Sequence, residues 1–137
     1  MTIGLSRNNP WNLLAEHIPW MGLLADQPDS GPLAFDSMED GIRAGIKLCY
    51  TYQERGWDTP VLFIPRFSPP QAGNPTPQYI ENVCTWTGFE ADEPLDFHNP
   101  TILCPWARAI FRQEQGANDI TDQQIIAAKA LADEPVS

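Results

Sequence analysis

Fourteen prolines in 137 residues constrain the fold more than any other feature, because proline removes a backbone donor and is excluded from helix interiors and central strands. Their placement decides what they mean. Thr59-Pro60, Thr76-Pro77 and Asn99-Pro100 each pair a capping residue with proline at the first helical position, where the missing N–H costs nothing. A helix from Pro60 should stop near Ile64, since Pro65 breaks its hydrogen bonding. A second is expected from Pro77 to Thr87, closed by Gly88, with Tyr79, Ile80, Val83, Cys84 and Trp86 as its apolar stripe. A third should run from Pro100 to Gln115 and end at Gly116, with Ile102, Leu103, Trp106, Ile110 and Phe111 inward and Pro105 dividing it.

The best-specified helix start is Phe35-Asp36-Ser37-Met38-Glu39-Asp40-Gly41-Ile42-Arg43-Ala44. Ser37 is placed as N-cap, and Asp40, at the third helical position, can reach back in a variant of the capping box. Glu39 and Asp40 also put negative charge at the positive end of the helix dipole. Behind them Ile42, Ile46, Cys49, Tyr50 and Gln53 recur at helical spacing, so one face docks on a core. A last helix should begin at Thr121, with Gln124 completing a capping box, and run to about Asp133.

The first 34 residues differ in character. Asn8-Asn9-Pro10 and Gln27-Pro28-Asp29-Ser30-Gly31-Pro32 are turn-rich, with a short helix expected from Pro10 to about His17. Trp11, Ile18, Trp20, Met21 and Leu23 need burial, on the helical body or on a partner. No alternation is long enough for a sheet, and a small hairpin before Phe35 is the most that fits. The expectation is a mainly α protein: a compact bundle of about five short helices over 35–133, a turn-rich segment at 1–34 and a tail at 134–137.

A net charge of −10 leaves no basic patch to release counterions from nucleic acid or to meet an anionic membrane. It fits docking on a basic protein neighbour. Cys49, Cys84 and Cys104 are widely spaced and no CxxC pair occurs, so buried free thiols in a reducing compartment are expected, with no metal and no other cofactor. There is no apolar run of the roughly 18 residues a membrane span needs. The start has no charged region followed by an apolar run, so synthesis in a cytoplasm without a signal peptide is expected.

Acid–base chemistry needs carboxylates whose surroundings separate their proton affinities. Asp36 and Glu39 sit at a helix N-terminus, which favours the ionised form, and Glu114 lies near a C-terminal end, which favours the neutral acid. A cleft holding Glu114 with Glu39 or Asp36 would suit glycosidic cleavage, although capping and solvation explain the same residues without chemistry. His17 and His98 are single, with no nucleophile motif beside them. Trp11, Trp20, Trp57, Phe67, Tyr79 and Trp86 could stack on sugars or fill a core.

Taken in order, these pieces resemble tailed-phage and prophage proteins labelled virion or structural proteins. Their pattern opens with Arg-Asn-Asn-Asn-Pro-Gly-Asn, followed by a Phe-Asp-Ser-x-Glu-x-Gly-Ile-Arg-Ala helix, a Trp-Ala-Pro-Pro loop ending in Asn-x-Thr-x-x-Tyr, an Ala-Ile helix ending in Glu-x-Gly, and a short last helix. The chain offers Arg7-Asn8-Asn9-Pro10-Trp11-Asn12, then Phe35 to Ala44 with Tyr52 and Gly56, then Arg66-Phe67-Ser68-Pro69-Pro70 with Asn74-Pro75-Thr76-Pro77-Gln78-Tyr79. Ala109-Ile110 with Glu114-Gln115-Gly116, and Asp122 to Ile125, complete it. It departs by one missing Asn, Trp11 for Gly, Phe67-Ser68 for Trp-Ala, and the added Gln71-Ala72-Gly73.

Such proteins are similar to particle-borne peptidoglycan-degrading domains of the lysozyme or transglycosylase kind. The resemblance implies a lysozyme-like helical fold and residence in the virion. It implies other virion proteins as partners, with the chain in multiple copies, and peptidoglycan as a ligand. It would place Asn8, Asn9, Asn12, Arg43, Asn74 and Tyr79 as binding residues around a catalytic Glu39 and Glu114. The expected function is a virion structural component derived from a peptidoglycan-processing domain. The alternatives are a virion-associated peptidoglycan hydrolase aiding genome entry and a non-catalytic cell-wall-binding module.

Overall fold

Side chains and stops set most of the helix ends in the computed structural model, which describes residues 1–15 and 18–135, the side chain of Gln71 excepted. The helices are α1 (Ile3–Ser6), α2 (Met38–Glu54), α3 (Pro60–Phe67), α4 (Thr76–Thr87), α5 (Pro100–Gln115) and α6 (Asp122–Ala132), with a 3-10 turn at Pro70–Ala72. The protein is mainly α, a small bundle in which α2 packs on α6 and α4 on both α3 and α5. Among the described residues the only β feature is an isolated antiparallel bridge between Leu23 and Phe35, in place of a hairpin.

The expected N-caps form at four helices. The Asp40 side chain does not reach back to the Ser37 amide, so α2 has a single cap bond and no capping box. Ser37 accepts from the Asp40 amide, Thr59 from Leu62, and Asn99 from Thr101. Thr121 and Gln124 form a reciprocal capping box. Gly88 closes α4 at φ 80°, in the left-handed region open to glycine. Thr76 departs from expectation: it is the first helical residue of α4 rather than its cap, and its hydroxyl donates to the Ser68 carbonyl at 2.8 Å.

The interior prolines do not end their helices. α3 continues through Pro65 to Phe67, and α5 runs through Pro105 without division. Each proline deprives one carbonyl of its partner, that of Val61 or Thr101, and both residues are exposed in a first turn where water can replace it. Continuing keeps Phe63 and Ile64, and in α5 Trp106, Ile110 and Phe111, fully buried. The three cysteines are free thiols; Cys49 and Cys104 are buried and Cys84 is half-buried.

The described residues before α2 pack on the body with little regular structure beyond α1. Residues 10–15 are not helical, and His17, the expected end of a helix there, lies outside the described residues. What holds this arm is a groove on α2 made by two glycines. A Cβ on Gly41 would stand 1.7 Å from the Asn8 carbonyl oxygen, and one on Gly45 would stand 2.2 Å from the Trp11 ring. Trp11 is 1% exposed, donates its indole N–H to the Ile42 carbonyl at 3.0 Å, and meets Phe111 edge-on at 4.8 Å. Asn9 is fully buried, donating to the Leu13 and Leu33 carbonyls and accepting from the Leu13 amide.

Candidate functional site

Glu114 occupies the last turn of α5, where the chain has just passed a fully apolar face containing Ile110 and Phe111. Its side chain reaches across to two other elements. Tyr79, in the first turn of α4, donates its hydroxyl to Oε2 at 2.8 Å, and Asn12 of the arm donates its amide to Oε1 at 2.9 Å. Burial pushes the Glu114 carboxyl above the ordinary glutamate range, and the two donors only partly offset it. Burial and the neighbouring Glu114 charge both raise Tyr79, so its hydroxyl remains a donor.

Asn12 is held as firmly as the acid. Its backbone sits at φ 56°, in the left-handed region that asparagine tolerates better than most residues. Its Oδ1 accepts from Gln115 Nε2 at 2.9 Å, and the same nitrogen donates to the Pro10 carbonyl at 3.0 Å. The Thr2 hydroxyl donates to Gln115 Oε1. Gly4 closes the cage, since a Cβ there would stand 2.1 Å from Asn12 Oδ1.

This cluster lines one wall of a cleft of about 400 Å³ between the arm, α2, and the loop after α3. The cleft presents Trp20, Tyr52 and Phe67 as aromatic surface over the buried Trp11, and Asn12, Asn74 and Arg66 as polar groups. Asn74 is fixed by donating to the Pro69 carbonyl at 2.8 Å. A wider groove of about 700 Å³, with Trp86, Arg108 and Arg112, lies along another part of α5. Its charged groups are exposed, and Arg112 rests on the Trp86 ring at 4.1 Å. The smaller cleft holds the partly buried acid and is therefore the candidate site.

Of the eight positions that the resemblance singles out, Asn12, Asn74 and Glu114 line the cleft, and Tyr79 touches it through Glu114. Asn8 and Asn9 shape the arm instead; Asn8 sits at φ 55° and donates to the Phe35 carbonyl. Glu39 is exposed and lines a different hollow with Thr121, Gln123, Gln124 and Ala127, beside the start of α6. Arg43 is buried one turn further along α2, its Nε without a hydrogen-bond partner among the described residues. Asp36 is exposed, at the start of α2. Among the described residues the Glu114 cleft is lined by one carboxylate, not by the expected pair.

Thr2, Gly4 and Gln115 are essential to this geometry and carry no signal at the level of motif or periodicity. They meet only because the arm returns to α5, as the separation of 113 residues between Thr2 and Gln115 makes plain. Arg66 does stand in a motif, beside Phe67-Ser68-Pro69-Pro70. Among the described residues no group of His, Cys, Asp and Glu could hold a metal ion, and no helix is long and apolar enough to cross a membrane. Comparison with protein-family models and with curated proteins gives no match to this chain.

Proposed function

We propose that the chain is a phage virion component whose cleft binds the glycan strands of peptidoglycan, with Glu114 as its acid. The observation that carries this reading is the half-buried Glu114 carboxyl, raised by burial and braced by Asn12 and Tyr79, on the wall of an aromatic- and amide-lined cleft. Aromatic faces and fixed amides are the groups that hold sugar rings, and a carboxyl kept neutral toward higher pH is suited to protonate a glycosidic oxygen. The context of particle and cell wall comes from the motif series from Arg7 to Ile125.

One carboxyl among the described lining residues limits the chemistry. Two-carboxylate cleavage needs a second group within about 5 to 9.5 Å across the scissile bond, and Glu39 lines another hollow. With Glu114 alone, the acid gives its proton to the leaving glycosidic oxygen as the bond to the anomeric carbon breaks. The resulting carboxylate then takes a proton from a hydroxyl of the same sugar as that oxygen closes on the anomeric carbon. This transglycosylation consumes no water and returns Glu114 to its starting state.

A second reading is a non-enzymatic virion component docked on neighbouring proteins. Net charge −10 and the acidic connector Glu90-Ala91-Asp92-Glu93-Pro94-Leu95-Asp96 favour it, as does Trp11 filling the place of a family glycine. Mass spectrometry of purified particles tests the shared premise, and absence from them overturns it. A zymogram and a sacculus pull-down test the cleft. Clearing lost in Glu114→Gln supports the acid, binding without clearing leaves a non-catalytic module, and neither binding nor clearing leaves the docking reading.

A further inference from the structure

Among the described residues the cleft lining includes one cation, the exposed Arg66. Eighteen acidic residues face eight basic ones, so a lysine or arginine has no shortage of internal carboxylates. Like Arg55 and Arg112, Arg66 makes no ion pair among the described residues, where the ion pairs are Arg108–Asp122 and Lys129–Asp133. It is immobilised by other means. Its guanidinium lies over the Trp57 ring, 4.3 Å from the centroid, and Nη1 donates to the Leu62 carbonyl at 2.9 Å. Trp57 is itself set by an edge contact with Tyr52, which lines the same cleft.

A guanidinium carries five N–H donors in a rigid fork that matches a carboxylate. One donor is used on Leu62, and a cation–π contact fixes the plane without neutralising the charge. Holding the fork in place beforehand removes much of the rotamer entropy that a free arginine would lose on binding. The same lining includes Asn12, Asn74 and Glu114, which address a neutral sugar, so Arg66 supplies what those residues lack. It reads an anionic substituent on the sugar.

We infer that Arg66 is a specificity residue that binds the lactyl carboxylate borne on alternate sugars of the glycan strand. The cleft then selects strands whose peptides have been removed, where that carboxylate is free, over strands in which it is capped as an amide. It also selects them over neutral 4-linked N-acetylglucosamine oligomers. This rests on the glycan-binding reading proposed above.

The test measures binding of the full chain, by calorimetry, to three probes of equal length: N-acetylglucosamine oligomers, peptide-stripped glycan strands and peptide-bearing strands. The stripped strands should bind about tenfold more tightly than either other probe at low salt, as one bidentate charge-assisted contact allows. That preference should shrink as salt rises. In Arg66→Met, which keeps a stem over Trp57, the ratio should fall to about one, and Arg66→Lys should retain part of it. Circular dichroism melts check that both variants fold, and the wild-type ratio needs no variant. Equal binding of all three probes by the wild type overturns this inference and leaves the glycan reading standing. An unchanged ratio in a folded Arg66→Met does the same. Binding to none of the three overturns both.

Discussion

Glu39 and Glu114 are both carboxylates at helix ends, one in the first turn of α2 and the other in the last turn of α5. Their surroundings differ in burial and in hydrogen-bond partners. Glu39 is exposed in the first turn of α2, where the Ser37 hydroxyl accepts from the Asp40 amide. Glu114 is half-buried, with the arm folded against it, and meets only two neutral donors. The fold draws this contrast by desolvating Glu114, and not Glu39, with a segment distant in sequence. It also separates the two halves of the expected pair into different hollows.

The largest effect that could break this contrast is on activity. Glu114→Gln should lower peptidoglycan clearing by a factor of about 10² to 10⁴, the usual contribution of a positioned acid. Glu39→Gln should stay within about twofold of wild type, since general acid–base effects require contact with the substrate. Equal losses in a turbidity assay would restore Glu39 to the machinery. Next comes Trp11→Ala, which removes the side chain that joins the arm to α2 and α5. It should cost about 3 to 5 kcal/mol in urea unfolding, the range for a large buried aromatic.

Gly45→Ala tests the same junction from the α2 side. Its Cβ would press on Trp11, and overpacking of this kind costs about 1 to 3 kcal/mol. Ser37→Ala removes only a cap and should cost about 1 kcal/mol without altering the cleft. The smallest effect is a slope. Because the folded protein raises Glu114 above its unfolded value, its contribution to stability is fully present below the ordinary glutamate value of about 4.3. That contribution is lost as pH rises through the raised value. Urea midpoints across this window should decline less in Glu114→Gln than in wild type, whereas Glu39→Gln should keep the wild-type decline.

Much of the helical framework was legible in the sequence because capping is local. Ser37, Thr59, Asn99 and Thr121 each bond an amide two or three residues away, and that is visible as spacing. The expected stops at Pro65 and Pro105 did not occur, since burial of Phe63, Ile64 and Trp106 outweighs one missing hydrogen bond in each helix. The expected helix after Pro10 fails for a related reason. Asn12 takes a left-handed conformation to reach Glu114, and Trp11 turns into the α2 groove.

By itself, then, the sequence determined a mainly α chain, the position of most helix ends, and the presence of carboxylates and aromatics in quantity. Tertiary structure alone decided which of those carboxylates is withdrawn from water beneath the arm. Asn12 and Glu114 are 102 residues apart, and a proton affinity depends on what surrounds a group in space rather than along the chain. The Gly41 and Gly45 groove draws the arm onto α2, the arm carries Asn12 to α5, and only that closure takes Glu114 out of water while Glu39 stays in it.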